Sequence, residues 1–255
     1  MIQVTNQNFK NIPALHVVRQ DLHGEKLPTV FFYHGFQSEK ELYLHYGYFL
    51  AEQGFRVILP DAKFHGERKR DTTSAEQAVY FWDTVQANID ELAGLRDELV
   101  RAGLSDAERI GVGGVSMGAI TSLGILARYD WVKVAVSLMG SAYYGEFANE
   151  LVEQATAHGM EFPFDTAKRI KELEPYDLSE QLEKVNGRAL LLWHGKKDDV
   201  VPFKYSEKLY DRLLEEEQAE QVEFVVDDQA KHKVSIDGIN RTTDFFQKNA
   251  YKRCW

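Results

Sequence analysis

The stretch Gly114-Val115-Ser116-Met117-Gly118 constrains this chain more than any other. It follows the apolar, glycine-rich run Ile110-Gly111-Val112-Gly113 and is followed by a mostly apolar segment over residues 119–129, a pattern that predicts strand, sharp turn and helix. A serine at the apex of such a turn has its hydroxyl lifted out of the sheet, and small residues on either side let strand and helix pass closely. The Met117 N–H then lies at a helix N-terminus, facing whatever the serine attacks. The pentapeptide is short, and a glycine-rich turn carrying an ordinary serine is the plain alternative. Its weight therefore depends on whether partners follow in the right order.

The remaining periodicity describes a parallel sheet. A nearly continuous apolar run at 29–33 suits a strand covered on both faces. Similar short runs occupy 56–60, 133–138, 188–193 and 222–226, and residues 14–22 are expected to form an early antiparallel edge strand. Between the runs lie helical stretches. Ser38 with Glu41 predicts the cap of a helix reaching about 53, and Ser74 with Gln77 the cap of a long helix reaching about 102, with Gly94 marking a kink. Strands alternating with helices imply an α/β fold with a mostly parallel central sheet and helices on both faces, in one domain over residues 1–255.

About fifty residues separate the runs ending at 138 and starting at 188, more than a crossover requires. Helical pieces are expected at 144–158 and 164–173, with an ordinary crossover helix at 178–185. The excess, residues 141–174, is expected to form a small helical lid insertion. Its aromatics, Tyr144, Phe147 and Phe162 among them, are candidates to line a substrate pocket or simply to pack the lid onto the body.

Ligands of an open α/β sheet sit beyond the carboxyl ends of its strands, so the polar residues just after strands are the informative ones. They are His34, Asp61, His65, Ser116, Asp198 and His232. A serine nucleophile needs a base to take its proton and an acid to orient that base, in chain order Ser, Asp or Glu, His. Of eight histidines, five precede glycine and look like turn residues. If the acid follows the 188–193 run, only His232 comes after that acid in sequence, so it is the candidate base by elimination. Periodicity leaves the adjacent Asp198 and Asp199 equal as the acid, with Asp227 and Asp228 as turn-capping alternatives.

The segments Gly114-Val115-Ser116-Met117-Gly118, His34-Gly35-Phe36 and His194-Gly195-Lys196-Lys197-Asp198-Asp199-Val200-Val201-Pro202, with His232 beyond, resemble the α/β-hydrolase superfamily. They are most similar to small bacterial carboxylesterases and to the catalytic domain of prolyl-oligopeptidase-type enzymes. The resemblance spans the chain from about residue 27. It implies Asp198 as the acid and the backbone N–H groups of Phe36 and Met117 as oxyanion donors. It also implies that Asp61 and His65-Gly66 organise a loop without entering the chemistry. Ser38 and Ala119 stand where the family often has glycine.

The implied activity is that of a serine carboxylesterase acting on small to medium acyl esters through an acyl-enzyme. The alternatives are a peptidase of the prolyl-oligopeptidase type, for whose N-terminal propeller the chain has no room, and a non-enzymatic ligand receptor on the same fold. No cofactor is expected. Asp61, His65 and Glu67 match no standard metal spacing, so no metal is expected either. A net charge of −10 argues against nucleic acid or an anionic membrane as partner. The absence of an apolar leader or spanning run, and a single cysteine, Cys254, fit a cytoplasmic protein. The oligomeric state is left open.

Overall fold

The structure, a computed structural model, describes residues 1–250; Cys254 lies outside them. One eight-stranded sheet runs through the molecule. Its elements in chain order are β1 (Ile2–Phe9), β2 (Ile12–Arg19), β3 (Leu27–Tyr33), α1 (Leu44–Glu52), β4 (Arg56–Pro60), α2 (Ser74–Val79), α3 (Phe81–Arg101), β5 (Ser105–Val115), α4 (Met117–Arg128), β6 (Val132–Leu138), α5 (Tyr144–Ala157), α6 (Thr166–Lys171), β7 (Ala189–Gly195), α7 (Lys204–Glu215), β8 (Val222–Asp227) and α8 (Ile236–Ala250). The strand order is β1-β2-β4-β3-β5-β6-β7-β8. Strand β2 is antiparallel to both neighbours, and all the others pair in parallel.

Alternate residues of each strand feed two cores, as a two-residue side-chain period requires. Phe31, Tyr33, Val112, Leu190 and Leu192 pack on one face with α3, α4, α5 and α7. Val30, Phe32, Val57, Leu191 and Trp193 pack on the other with α1 and α8. Helix α7 buries Tyr205, Leu209 and Leu213, one face at a spacing of four. No helix among the described residues is long and apolar enough to cross a membrane.

Several expectations shift. The strand expected at the sheet edge is an interior one, because β1 pairs outside it. The two join through Lys10 and Asn11, both at positive φ (52° and 64°), the two-residue turn that suits strand twist. The polar half of β1, with its Gln, Asn and Thr residues, hides it from a hydrophobic pattern. The helix expected from Ser38 starts later, at Leu44, after a 3₁₀ turn over Lys40–Tyr43. The capping box sits one residue earlier than predicted, on Thr73 and Glu76. That helix breaks at Tyr80, while Gly94 lies inside unbroken α3. The crossover helix expected at 178–185 is instead two 3₁₀ turns, whose Leu178, Leu182 and Val185 pack on the α4 side. Helices α5 and α6 form as expected, within about two residues at each end.

Two buried histidines are held neutral by the fold. Arg56, fully buried, donates to the carbonyls of Leu104, His23 and Glu25 and to Nε2 of His16. Burial and the neighbouring guanidinium push His16 down to about 3. Burial likewise pushes His34 down to about 4; its Nε2 accepts from the Ala62 N–H at 3.0 Å and its Nδ1–H donates to the Gly35 carbonyl at 2.8 Å.

Because both folded values lie below the ordinary 6.5, the unfolded chain takes up these protons first, so stability present above pH 6.5 is lost as pH falls. Urea unfolding between pH 6.5 and 5 should show a steady loss, to which these two sites contribute up to about two protons of slope. His16→Gln, which keeps an acceptor for Arg56, should remove about one of them. A pH-independent unfolding free energy over this window would contradict the neutral assignment.

Candidate active site

Strand β5 delivers Ser116 to the carboxyl edge of the sheet. Its backbone is left-handed (φ 55°, ψ −115°), a strained state for a residue with a side chain. The flanking glycines make the turn fit. A Cβ on Gly118 would lie 2.1 Å from the Tyr33 carbonyl oxygen of β3, and one on Gly114 would lie 2.4 Å from Gly118 itself. Helix α4 therefore starts pressed against both β5 and the end of β3, and Ser116 occupies its N-cap position.

Two further loops converge on the serine. After β8, His232 sits with Nε2 2.9 Å from Ser116 Oγ and Nδ1 2.7 Å from Asp198 Oδ2. The Asp198 carboxylate can only accept, so Nδ1 carries the proton and Nε2 is the acceptor for the serine hydroxyl. After β7, Asp198 is buried while Asp199 is exposed, which separates the two residues that periodicity left equal. Asp198 Oδ1 accepts from the Val200 and Val201 N–H groups at 2.9 and 3.0 Å, and Oδ2 lies 3.3 Å from His194 Nε2. Burial works against its charge. The hydrogen bonds from His194, His232 and Val200 outweigh that cost and hold the carboxyl well below the usual range. Asp227 caps the turn after β8 through the Gln229 and Ala230 N–H groups, and Asp228 lies 3.6 Å from Lys196.

His194 does more than end a strand. Its Nε2–H donates to the Val201 carbonyl at 2.9 Å and its Nδ1 accepts from Ser206 Oγ at 2.7 Å, so the loop carrying Asp198 is tied to β7 and α7. The signal for it was present in His194 standing four residues before Asp198.

On the other side, the loop after β3 brings Gly35 beside the serine: a Cβ there would be 3.8 Å from that of Ser116 and 3.6 Å from the Val115 carbonyl. Among the described residues, neither the Phe36 nor the Met117 N–H has a backbone partner. Both are thus open donors next to Ser116. The loop is fastened to residues 61–67. His65 Nε2 accepts from the Gln37 N–H at 3.0 Å and its Nδ1–H donates to the Lys63 carbonyl at 2.8 Å. Asp61 accepts from the Lys40 and Glu67 N–H groups. The buried Lys40 ammonium lies 2.8 Å from Asp61, 2.7 Å from Glu67 and 3.0 Å from Glu41. Burial opposes its charge, but the carboxylates raise its pKa above the ordinary value. A cation of the chain's own thus fills the place between these acids.

A cavity of about 670 Å³ opens at Ser116. Phe147 and Phe162 line it, as expected of the insertion. Tyr144 does not. It is fully buried, its ring 4.9 Å from that of Trp82 and its hydroxyl donating to the Ile120 carbonyl at 2.5 Å, so it packs the insertion onto α4. The facing wall is Val79, Phe81 and Trp82, around the break between α2 and α3. Sequence reasoning missed this wall, although the adjacent pair Phe81-Trp82 in an otherwise amphipathic helix marked it.

The prolyl oligopeptidase family profile matches residues 42–253. The chain is 43% identical to the Bacillus subtilis (strain 168) protein named "Putative esterase YitV" over 97% of this chain and 99% of that protein. It is 32% identical to esterase YjfP of Escherichia coli (strain K12), over 98% of this chain and 100% of the other. Among solved structures, TT1662 from Thermus thermophilus superposes with a TM-score of 0.74 at 21% identity, covering 99% of this chain and 100% of that one. A Pyrococcus horikoshii acylaminoacyl peptidase superposes with a TM-score of 0.72 at 19% identity, over 100% of this chain and 43% of its own length.

Close packing at the turn is testable by itself. Gly118→Ala should cost about 1–3 kcal/mol, since its methyl meets rigid backbone, and a thermal melt will read this as a Tm several degrees lower. Gly24→Ala, which meets nothing within 4 Å, should leave Tm unchanged or slightly higher. Equal melts for the two variants would contradict the contact.

Proposed function

The chain belongs to the prolyl oligopeptidase family and has the α/β-hydrolase fold, and on that premise we propose that it is a serine carboxylesterase in which Ser116, His232 and Asp198 act as nucleophile, base and orienting acid. The observation that carries this reading is the unbroken hydrogen-bonded line from Ser116 Oγ through the His232 ring to a buried Asp198, ending at an apolar cavity. Relatives that match along nearly their whole length and bear esterase names favour ester over peptide turnover.

The steps follow from the atoms in place. As Ser116 Oγ attacks the ester carbonyl, its proton passes to His232 Nε2. Asp198 keeps the Nδ1–H pointed at itself and stabilises the imidazolium that forms. The Phe36 and Met117 N–H groups donate to the oxygen that becomes negative, a contribution of about 3 kcal/mol for a single donor in comparable enzymes. Collapse of the tetrahedral species expels the alcohol, which takes the proton from His232. Water then attacks the acyl-Ser116 ester, His232 again accepting a proton, which it returns to Ser116 Oγ as the acid leaves. No metal or cofactor is required by this sequence of steps. We assign residues 1–255 to a single domain, with residues 141–174 as a lid over the acyl pocket that includes Phe147 and Phe162, and a small-molecule ester as substrate.

Steady-state hydrolysis of a p-nitrophenyl ester tests the assignment. Ser116→Ala should abolish turnover with the melt unchanged. Asp198→Asn should lower kcat by up to about 10⁴, because the wrong tautomer of His232 is then favoured, while exposed Asp199→Asn should stay near wild type. Wild-type turnover in Ser116→Ala, or equal mild effects of the two asparagines, would overturn it.

A further inference from the structure

The cavity at Ser116 is large for a small acyl group and is walled on two sides by elements between which, among the described residues, no backbone–backbone hydrogen bond runs. Phe36, Phe81 and Trp82 belong to the body, while Phe147, Phe162 and Phe164 belong to the 141–174 segment. At about 670 Å³ it lies in the middle of the range that encloses drug-sized ligands, so an acetyl group would leave most of it unfilled.

Among the described residues, one ion pair joins the two sides in the cavity wall. Asp83, in the first turn of α3, accepts a hydrogen bond from the guanidinium of Arg169 in α6. The same guanidinium donates to Glu172 at 2.8 Å and lies 5.5 Å from the centre of the Phe164 ring. Phe164 in turn packs on Phe162 at 5.8 Å and on Tyr80, at the α2–α3 break, at 6.4 Å. Next to the pair, Gln86 Nε2 donates to the Glu172 carbonyl at 3.2 Å. The pair is partly shielded, with side-chain exposures of 22% for Asp83 and 36% for Arg169. Of the polar contacts across this wall it is the one that reaches Phe164, through the Arg169 guanidinium, and the Phe162–Phe164 stretch has no regular secondary structure of its own.

We propose that the cavity receives a medium-chain acyl group and that the Asp83–Arg169 pair, by seating Phe162 and Phe164 against α3, is the element that determines this chain-length preference. The proposal rests on Ser116 being the acylated residue. Each methylene that finds a place in the aromatic wall contributes about fourfold in kcat/KM until the cavity is full. Neither charged group touches the reacting atoms: both are positioning residues acting through the two phenylalanines.

The test is the ratio of kcat/KM for p-nitrophenyl octanoate to that for p-nitrophenyl acetate, each measured below its critical micelle concentration. In the wild type the ratio should exceed about tenfold. Asp83→Asn and Arg169→Gln should each lower it about tenfold, chiefly through a higher KM for the octanoate, and the double variant should lower it no further than either single one. An aromatic-ring deletion, Phe164→Leu, should lower the ratio similarly without touching a charge. A wild-type ratio near or below one, unchanged ratios in the single variants, or additive losses in the double variant would overturn the proposal. Stoichiometric labelling of Ser116 by a fluorophosphonate in every variant separates these outcomes from a failure of the Ser116 nucleophile assignment, which would abolish labelling in the wild type.

Discussion

Everything at the site depends on the contact between Gly118 and the Tyr33 carbonyl oxygen. With no side chain at 118, helix α4 can begin against the ends of β3 and β5 at once. This forces Ser116 into its left-handed backbone and stands its hydroxyl above the sheet edge. The same closeness brings the loop after β3 beside the serine, so that Gly35 and Phe36 on one side and Met117 on the other flank it. Strain at a single residue is thereby distributed over three elements that are each deeply packed.

Around that turn, the fold keeps its ionisable groups in defined states through hydrogen bonding. Asp198 is anionic despite its burial because the His232 Nδ1–H and two backbone amides donate to it, with His194 Nε2 3.3 Å away. His34 and His65 are each bonded as neutral rings, one nitrogen donating to a carbonyl and the other accepting a backbone N–H. The Lys40 ammonium, enclosed by Asp61, Glu67 and Glu41, locks the 34–40 loop to the 61–67 loop. His232 differs in standing partly open, at 22% side-chain exposure, as the proposed base, which would exchange protons with substrate and water, requires.

Much of this was legible in the sequence, for physical reasons that differ by element. Parallel strands buried on both faces produce continuous apolar runs, so β3 through β8 stand out, whereas β1, half polar at the sheet edge, does not. The serine turn is legible because close backbone approach demands small residues at fixed positions. Chain order isolates His232 as the base, but Asp198 and Asp199 differ only in which way each side chain faces, a property of the folded loop. Tyr144 shows the limit of composition: an aromatic in the insertion was equally suited to pocket or packing, and its hydroxyl found the Ile120 carbonyl. The Val79-Phe81-Trp82 wall escaped notice because a break in a helix, at Tyr80, turns core-like residues toward a cavity. The role of Lys40 lies in contacts between loops far apart in sequence, beyond the reach of local pattern.

The central claim is that Ser116 is acylated by its substrate with the help of His232. Rapid acid quench of the enzyme during turnover of an excess of p-nitrophenyl butyrate, followed by peptide mass spectrometry, measures this directly. The account predicts a butyryl adduct on the peptide containing Ser116, and on no other serine, that is lost in His232→Ala. A fully active enzyme carrying no acyl group on Ser116, or one on another residue that forms equally well without His232, would contradict it.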